Sequence, residues 1–304
     1  MEEARTFAPC HITGFFQIFD ETAKALDAGS KGAGVSLSLG VETLVSTKHS
    51  EKSRSEVYVN GVFSESAVVS KHVLGLLCSR FKEMTSLDIV VEHWTKVKLG
   101  AGLGTSGAAA LSLALALNEA HGLGLSKTEA AQVAHQAEVE CKTGLGTVIA
   151  ETFGGAEIRI EPGAPGIGKI RQIDVPKDTR IACLVFGPLS TKKFLSDSET
   201  RRRVNELGGK LVDKLIEEPN IVNLMKLSRQ FAEHVGLITN NVRNILNLTD
   251  RADYICSMPM FGESVFTLAQ QGSLEDLLKI FREQGMGGQV IVSDVDFEGA
   301  RILN

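Results

Sequence analysis

The sequence predicts an α+β protein of two units, and three observations carry that prediction. Hydrophobic periodicity switches between 2 and 3.6 along the chain, so strands and helices interleave. The interleaving carries no dinucleotide-binding glycine pattern, which favours α+β over a doubly wound sheet. At 304 residues one hydrophobic core usually gives way to two. The boundary is placed in the Pro/Gly turn Glu161-Pro162-Gly163-Ala164-Pro165-Gly166, dividing 1–165 from 166–304.

The elements follow in order. Val35–Leu39 and Thr43–Ser46 alternate as strands, and Glu56-Val57-Tyr58-Val59-Asn60-Gly61 ends in a hairpin signal. Residues 67–82 read as an amphipathic helix and 87–92 as a buried strand. Gly107 to Ala120 is apolar nearly all round, which makes it a central buried helix. Ser126-Lys127-Thr128-Glu129 is a capping box, and its helix runs to about Lys142 with Ala130, Ala134, Ala137 and Cys141 on one face. After Gly154-Gly155 the chain returns as a strand over 156–160. The second half reads as strands over 181–186, 264–268 and 289–294, with helices over about 199–217, 221–237, 241–248 and 273–284.

Composition narrows the function. Thirty-two Lys plus Arg against 37 Asp plus Glu leave a net charge of −5, which disfavours nucleic acid as a partner. The acidic start Met1-Glu2-Glu3-Ala4-Arg5 is followed by no secretion-type apolar run, and Ala108–Leu117 is too short to span a bilayer. Cys10, Cys78, Cys141, Cys183 and Cys256 are odd in number, scattered and never in a C-x-x-C pair. Reduced thiols in a cytoplasm, without a zinc site, are the expectation.

Glycine carries the strongest functional signal. Gly100-Ala101-Gly102-Leu103-Gly104-Thr105-Ser106-Gly107 stands directly before the buried helix. Such glycines let the backbone approach an anion, while the first helical N–H groups carry partial positive charge towards it. Thr105 and Ser106 add hydroxyls where a phosphate or its Mg²⁺ would sit; the alternative is a tight turn capped by Ser or Thr. Gly100-x-Gly102-x-Gly104 is not the dinucleotide fingerprint, since its third glycine comes one residue early. Gly163–Ile170 imitates a P-loop, but Ile170 stands where that motif needs Ser or Thr on Mg²⁺.

Residues 99–109 resemble the second motif of the GHMP kinases (galactokinase, homoserine kinase, mevalonate kinase, phosphomevalonate kinase), whose loop runs G-L-G-S-S-A. Ala8-Pro9-Cys10-His11-Ile12-Thr13-Gly14-Phe15 is similar to that family's first motif, with His11 where most members have Lys or Arg. Residues 258–266 stand in the place of the third motif, with Gly262 as the only glycine. Within the superfamily, Pro9–Phe16, Gly29-Ser30-Lys31-Gly32-Ala33-Gly34 and Thr143-Gly144-Leu145-Gly146 look like the archaeal pantoate kinases. The resemblance implies a ribosomal S5 domain 2-like N-terminal domain and a ferredoxin-like C-terminal one. It also implies ATP-dependent phosphorylation of the hydroxyl of pantoate to 4-phosphopantoate, a step towards coenzyme A.

The resemblance also assigns roles. ATP would lie across Gly100–Gly107, and Mg²⁺ would be held by Ser106 and a Glu before the next glycine turn. Taking Ala130 as origin, Glu138 falls at about 80° and Glu140 at about 280°, on opposite flanks of the apolar stripe. Family spacing favours Glu138 as the ligand, against a reading in which both are solvated flank charges. Many members place an Asp base where this chain has Thr147, which cannot be a base. Either the reaction runs on positioning and charge neutralisation, as a loose phosphoryl-transfer transition state allows, or His11 takes part as a donor. The competing reading of His11 is a satisfied histidine at a core edge. The substrate carboxylate calls for a cation, with Arg201, Arg202 and Lys31 as candidates and Lys192-Lys193, Ser190-Thr191 nearby in sequence.

Three rivals share part of this pattern: another GHMP small-molecule kinase acting on homoserine, mevalonate or shikimate, a non-kinase member of the fold, and a regulatory binding module. No nucleic acid or membrane partner is expected, and the choice between monomer and homodimer stays open.

Overall fold

Two long antiparallel strands, β1 (Glu2–Phe19) and β2 (Gly29–His49), form the spine of the computed structural model, which describes residues 2–50, 52–189, 197–285 and 287–303. They pair from Glu2↔Thr47 to Phe19↔Gly29, with register shifts between Pro9 and His11 and between Thr13 and Phe15. Proline has no N–H to give the ladder, so irregular pairing there is the expected response. Alternation in the sequence marks two pieces of β2 and is silent on β1. Residues 8–12 are buried without a break, and a strand covered on both faces has no alternation to read.

The larger sheet runs β11 (Arg301–Leu303), β1, β2, β5 (Leu87–Thr95), β3 (Ser55–Val59), β4 (Val62–Phe63). Strand β2 is shared: residues 41–49 pair with β5, while 32–35 pair with β6 (Ala156–Glu161), which carries β7 (Lys169–Ile173). The β3–β4 turn is Asn60-Gly61, both with positive φ as a tight hairpin turn requires. The Pro/Gly turn at 161–166 is the connection from β6 to its partner β7, so the sheet continues to Ile173, and β11 returns to it from the C-terminus.

Helices α1 (Val68–Arg80), α2 (Thr105–His121), α3 (Lys127–Cys141) and α4 (Thr147–Phe153) pack on this sheet. The all-round apolar surface of α2 places it centrally, against β1, β2, α1 and α3. The Ser126/Glu129 box opens α3. Helix α4 has no sequence signature, because seven residues make fewer than two full periods. A second, antiparallel sheet has the order β10 (Gln289–Asp294), β8 (Thr179–Pro188), β9 (Gly262–Gln270). Around it lie α5 (Ser198–Glu217), α6 (Ile221–Val235), α7 (Asn240–Arg251) and α8 (Leu274–Gln284).

Two hydrophobic cores result. One joins α1–α3 to β2 and β5, and the other joins β8–β10 and α5–α8 to β6 and the far half of β1. No helix among the described residues is long and apolar enough to cross a membrane, and all five cysteines are free thiols.

Candidate active site

A cleft of about 480 Å³ runs past the N-terminus of α2, with Phe16, Met260 and Phe261 at one end and Val59, Val68 and Val69 at the other. Its middle is the glycine loop. Gly100, Gly102 and Gly104 all take φ of +71 to +76, a left-handed conformation that a side chain makes costly. Space is short as well: a Cβ on Gly104 would come within 2.5 Å of a Glu151 oxygen. Gly104 is the N-cap of α2 and no side chain caps the helix, so its first N–H groups face the cleft without a side-chain acceptor. The alternative of a Ser- or Thr-capped turn is therefore not what this loop adopts.

Gly100, Gly102, Leu103, Gly104, Thr105 and Ser106 line the cleft. Ala101 and Gly107 do not. The Ala101 carbonyl accepts from Ser264 Oγ at 2.9 Å, and Gly262 packs so tightly on it that a Cβ there would sit 1.9 Å from that oxygen. The single glycine of the third motif is thus a packing requirement of the loop. Beside it Phe261 holds φ +64 and meets the Phe16 ring edge-on at 5.6 Å.

Glu138 faces the cleft from α3. Its carboxylate accepts from Ser106 Oγ at 3.2 Å and from Thr143 Oγ1 at 2.8 Å, and it is 1% exposed. Burial pushes its pKa up to about 7, against which the two hydroxyls are weak compensation. Glu140 points the other way, to His72 and Gln136 on the surface. The helical phase separates the two glutamates as the 3.6 period requires.

His11 is wholly buried. Its Nε2 lies 3.0 and 3.1 Å from the two oxygens of Glu157, and its Nδ1 is 3.4 Å from Thr13 Oγ1. Its backbone N–H donates to the Leu103 carbonyl at 3.0 Å, tying β1 to the glycine loop. Glu157 also pairs with the buried guanidinium of Arg159. Arg159 reaches Thr13 Oγ1 at 3.4 Å, while its Nε has no partner and lies 3.0 Å from where a Gly146 Cβ would be. Thr13, Ser30 and Gly146 line the cleft at this point, so a cation stands directly behind its wall. Gly34 makes room for the arrangement, since a Cβ there would strike the His11 ring at 2.5 Å.

Sequence reasoning missed Arg159, Glu157 and Glu151. Charges at i and i+2 on one face of an otherwise apolar strand were the available signal for the first two. Glu151 lies one turn after Thr147 on α4, fully buried, with neither oxygen hydrogen-bonded. Desolvation, then the charges of Glu138 and Glu157, raise its pKa well above the usual range.

The expected substrate cations lie elsewhere. Arg201 pairs with Asp20 through two hydrogen bonds of 2.7 and 2.9 Å. Arg202 bonds Glu199 and Glu206 on an exposed helix face, and Lys31 lies 5.8 Å over the Phe19 ring. None of the three lines the cleft. An i,i+3/i,i+4 acid pattern around Arg202 satisfies it locally, as charge runs on helices usually are. Ser190, Thr191, Lys192 and Lys193 lie outside the described residues. The P-loop imitation at Gly163–Ile170 forms the β6–β7 turn and is no part of the cleft.

Comparison with known proteins places this geometry. The family model for the GHMP kinases N terminal domain matches residues 68–155. A solved structure described as a phosphotransferase related to the CoA biosynthesis pathway superposes with a TM-score of 0.89 at 31% identity, covering 99% of this chain and 98% of that one. A homoserine kinase from Cytophaga hutchinsonii shares the fold at TM-score 0.72 and 16% identity, over 100% of this chain and 98% of that one. The chain belongs to the GHMP kinase family. Its relatives within that family include the pantoate kinase of Thermococcus kodakarensis, 34% identical over 93% of both chains. That of Methanocaldococcus jannaschii is 35% identical over 91% of this chain and 96% of its own.

Proposed function

We propose that this protein transfers the γ-phosphoryl group of ATP to the primary hydroxyl of pantoate, giving 4-phosphopantoate for coenzyme A biosynthesis. One observation carries the reading: an uncapped helix N-terminus, a buried Ser106–Glu138 pair and a buried arginine behind Thr13 and Ser30 all meet in one cleft. The kinship with pantoate kinases supports it.

The triphosphate lies on the glycine loop, where the N–H groups of Thr105 and Ser106 point at it. Ser106 and Glu138 are the residues that would hold Mg²⁺. They fit it, because Glu138 is a buried carboxylate with only hydroxyl donors. Among the described residues no group of three or more His, Cys, Asp or Glu is arranged to hold a metal, and Mg²⁺ held by few carboxylates would take phosphate oxygens as further ligands. When bound, the ion neutralises charge that develops on the transferring group.

The acceptor sits towards Ser30, Thr13 and Gly146, its carboxylate compensated by Arg159 and its gem-dimethyl group against Phe16 and Phe261. Thr147 Oγ1 orients the hydroxyl, without serving as a base. His11 works through Glu157, holding that carboxylate and the Leu103 carbonyl in place, so it is a positioning residue.

A coupled ADP-release assay across pantoate, homoserine, mevalonate and shikimate tests the reading. The expected result is turnover with pantoate and a kcat/KM for the other three lower by at least about 10²-fold. A preference for any of those three defeats the substrate assignment, and no ADP release with any acceptor defeats the kinase.

A further inference from the structure

The segment Met260-Phe261-Gly262 borders the end of the cleft that holds Thr13 and Phe16, and its backbone is tied down on both sides of Phe261. On one side the Met260 N–H donates to the Thr13 carbonyl of β1 at 3.2 Å. On the other, Gly262 opens β9 opposite Pro188 of β8 and packs against the Ala101 carbonyl of the glycine loop. Glu263 follows, accepting from Thr239 Oγ1 at 2.8 Å and from Asn241 Nδ2 at 3.1 Å, and Ser264 Oγ donates to Ala101. Between these ties Phe261 takes φ +64, a conformation that glycine adopts freely and that a residue with a Cβ adopts at a cost. A strained dihedral persists only where its surroundings over-determine it, and here the neighbours on both sides do. What the strain secures is the position of the ring. Phe261 lines the cleft edge-on to Phe16, 5.6 Å away, and Phe16 rests in turn on Phe231 at 6.0 Å. Phe231 is fully buried and Phe16 is 5% exposed, so neither ring can retreat without disturbing a close-packed core.

We infer that Phe261 is a specificity-determining residue, a fixed apolar stop that limits the size of the branch an acceptor carries on the carbon next to its reacting CH₂–OH group. This rests on the pantoate reading of the cleft and adds the dimension of its acceptor end. Thr13 lies one hydrogen bond from Met260, so an acceptor whose carboxylate is held at Thr13 and Ser30 presents its following carbons to Phe261 and Phe16. Two methyl groups there cover aromatic surface that an unbranched chain would leave to water. Two ethyl groups demand volume that a backed ring on a pinned backbone does not release.

Three acceptors that differ only at that carbon make the test, with ATP as donor: pantoate, its analogue with ethyl groups in place of the methyls, and its analogue with neither. Wild-type kcat/KM should be highest for pantoate, about 10-fold lower for the unbranched analogue and at least about 10²-fold lower for the diethyl one. Phe261→Gly suits the left-handed backbone and deletes the ring, so it should lower kcat/KM for pantoate and raise it for the diethyl analogue, bringing the two within about 3-fold. Phe261→Leu should move the ratio in the same direction by a smaller factor. The ratio is the readout, because loss of a merely structural ring lowers all three acceptors alike. Melting temperature checks the pinned backbone without any substrate. Phe261→Gly should melt above Phe261→Ala, since both lack the ring and only alanine brings the Cβ that this dihedral penalises. Equal use of pantoate and the diethyl analogue by the wild type would overturn the inference alone. So would variants that lower all acceptors in proportion, or a glycine variant that melts below the alanine one. No turnover of any of the three by the wild type would sink the kinase reading and the inference with it.

Discussion

At one end of the cleft every buried polar side chain is paired, and at the other several are not. Ser112, Thr43, His93 and Ser70 form a closed neutral chain. Around Thr147, by contrast, both Glu151 oxygens and Arg159 Nε lack partners, and Glu138 keeps only hydroxyls. A satisfied network in low dielectric holds a fixed shape and leaves no uncompensated charge. An under-compensated charge raises the energy of the empty site, and a phosphate, a cation or a carboxylate can lower it on binding. The two ends of the cleft thus differ in which buried groups the fold leaves unpaired.

The largest break in this contrast should come from Arg159→Met. It strips Glu157 of its guanidinium and leaves a buried carboxylate facing only His11. Losing one partner of a buried pair typically costs about 3–5 kcal/mol, so the urea midpoint should fall sharply. An unchanged midpoint would mean that the charges at this end are not mutually dependent.

Glu138→Gln comes next, with an expected loss in kcat of about 10²-fold, about 2.7 kcal/mol of barrier, while Glu140→Gln stays within about 3-fold. The sign of the pH effect follows from burial. The Glu138 carboxyl titrates near 7 in the fold against 4.5 unexposed to it, so the native state binds the proton more tightly. The stability this contributes is present below about 4.5 and is lost as pH rises through about 7. If Glu138 holds Mg²⁺ as proposed, the ion would compete with that proton, so Mg²⁺-dependent nucleotide affinity should rise with pH up to about 7 and then level off. Isothermal titration across pH 5.5 to 8.5, about the range spanning that midpoint, checks it, and Glu138→Gln should flatten the profile. A reversed ranking of the two glutamates would move the ligand to Glu140.

The smallest effect belongs to Thr147→Ala. One neutral orienting hydrogen bond is worth about 1 kcal/mol, so kcat/KM for pantoate should fall at most about 10-fold. An inactive Thr147→Ala variant would show that this hydroxyl does more than orient.

Much of the scaffold was legible because its causes are local. A capping box at Ser126/Glu129, a positive-φ hairpin turn at Asn60-Gly61 and the phase of Glu138 on α3 each involve residues within about four positions, and all three stand in the structure. The glycine loop was legible for the same reason, since left-handed dihedrals at alternate positions leave a residue-type imprint. Strand β1 was not, because burial on both faces erases its period. The substrate cation was sought in the Arg201–Arg203 run, yet those side chains have their own acid partners on α5 or at Asp20.

By itself, then, the sequence determined where helices cap, where the backbone must turn left-handed and which helix face is apolar, all set by short-range sterics and hydrogen bonding. Only the tertiary structure decided how buried charges are compensated and which buried hydroxyls and histidines meet. His11 meets Glu157 across 146 residues of chain, and Thr43 meets His93 across 50. The strength of a buried charge and the partner of a buried hydroxyl depend on what the fold brings within about 3 Å and shields from water, and no spacing along the chain encodes that distance.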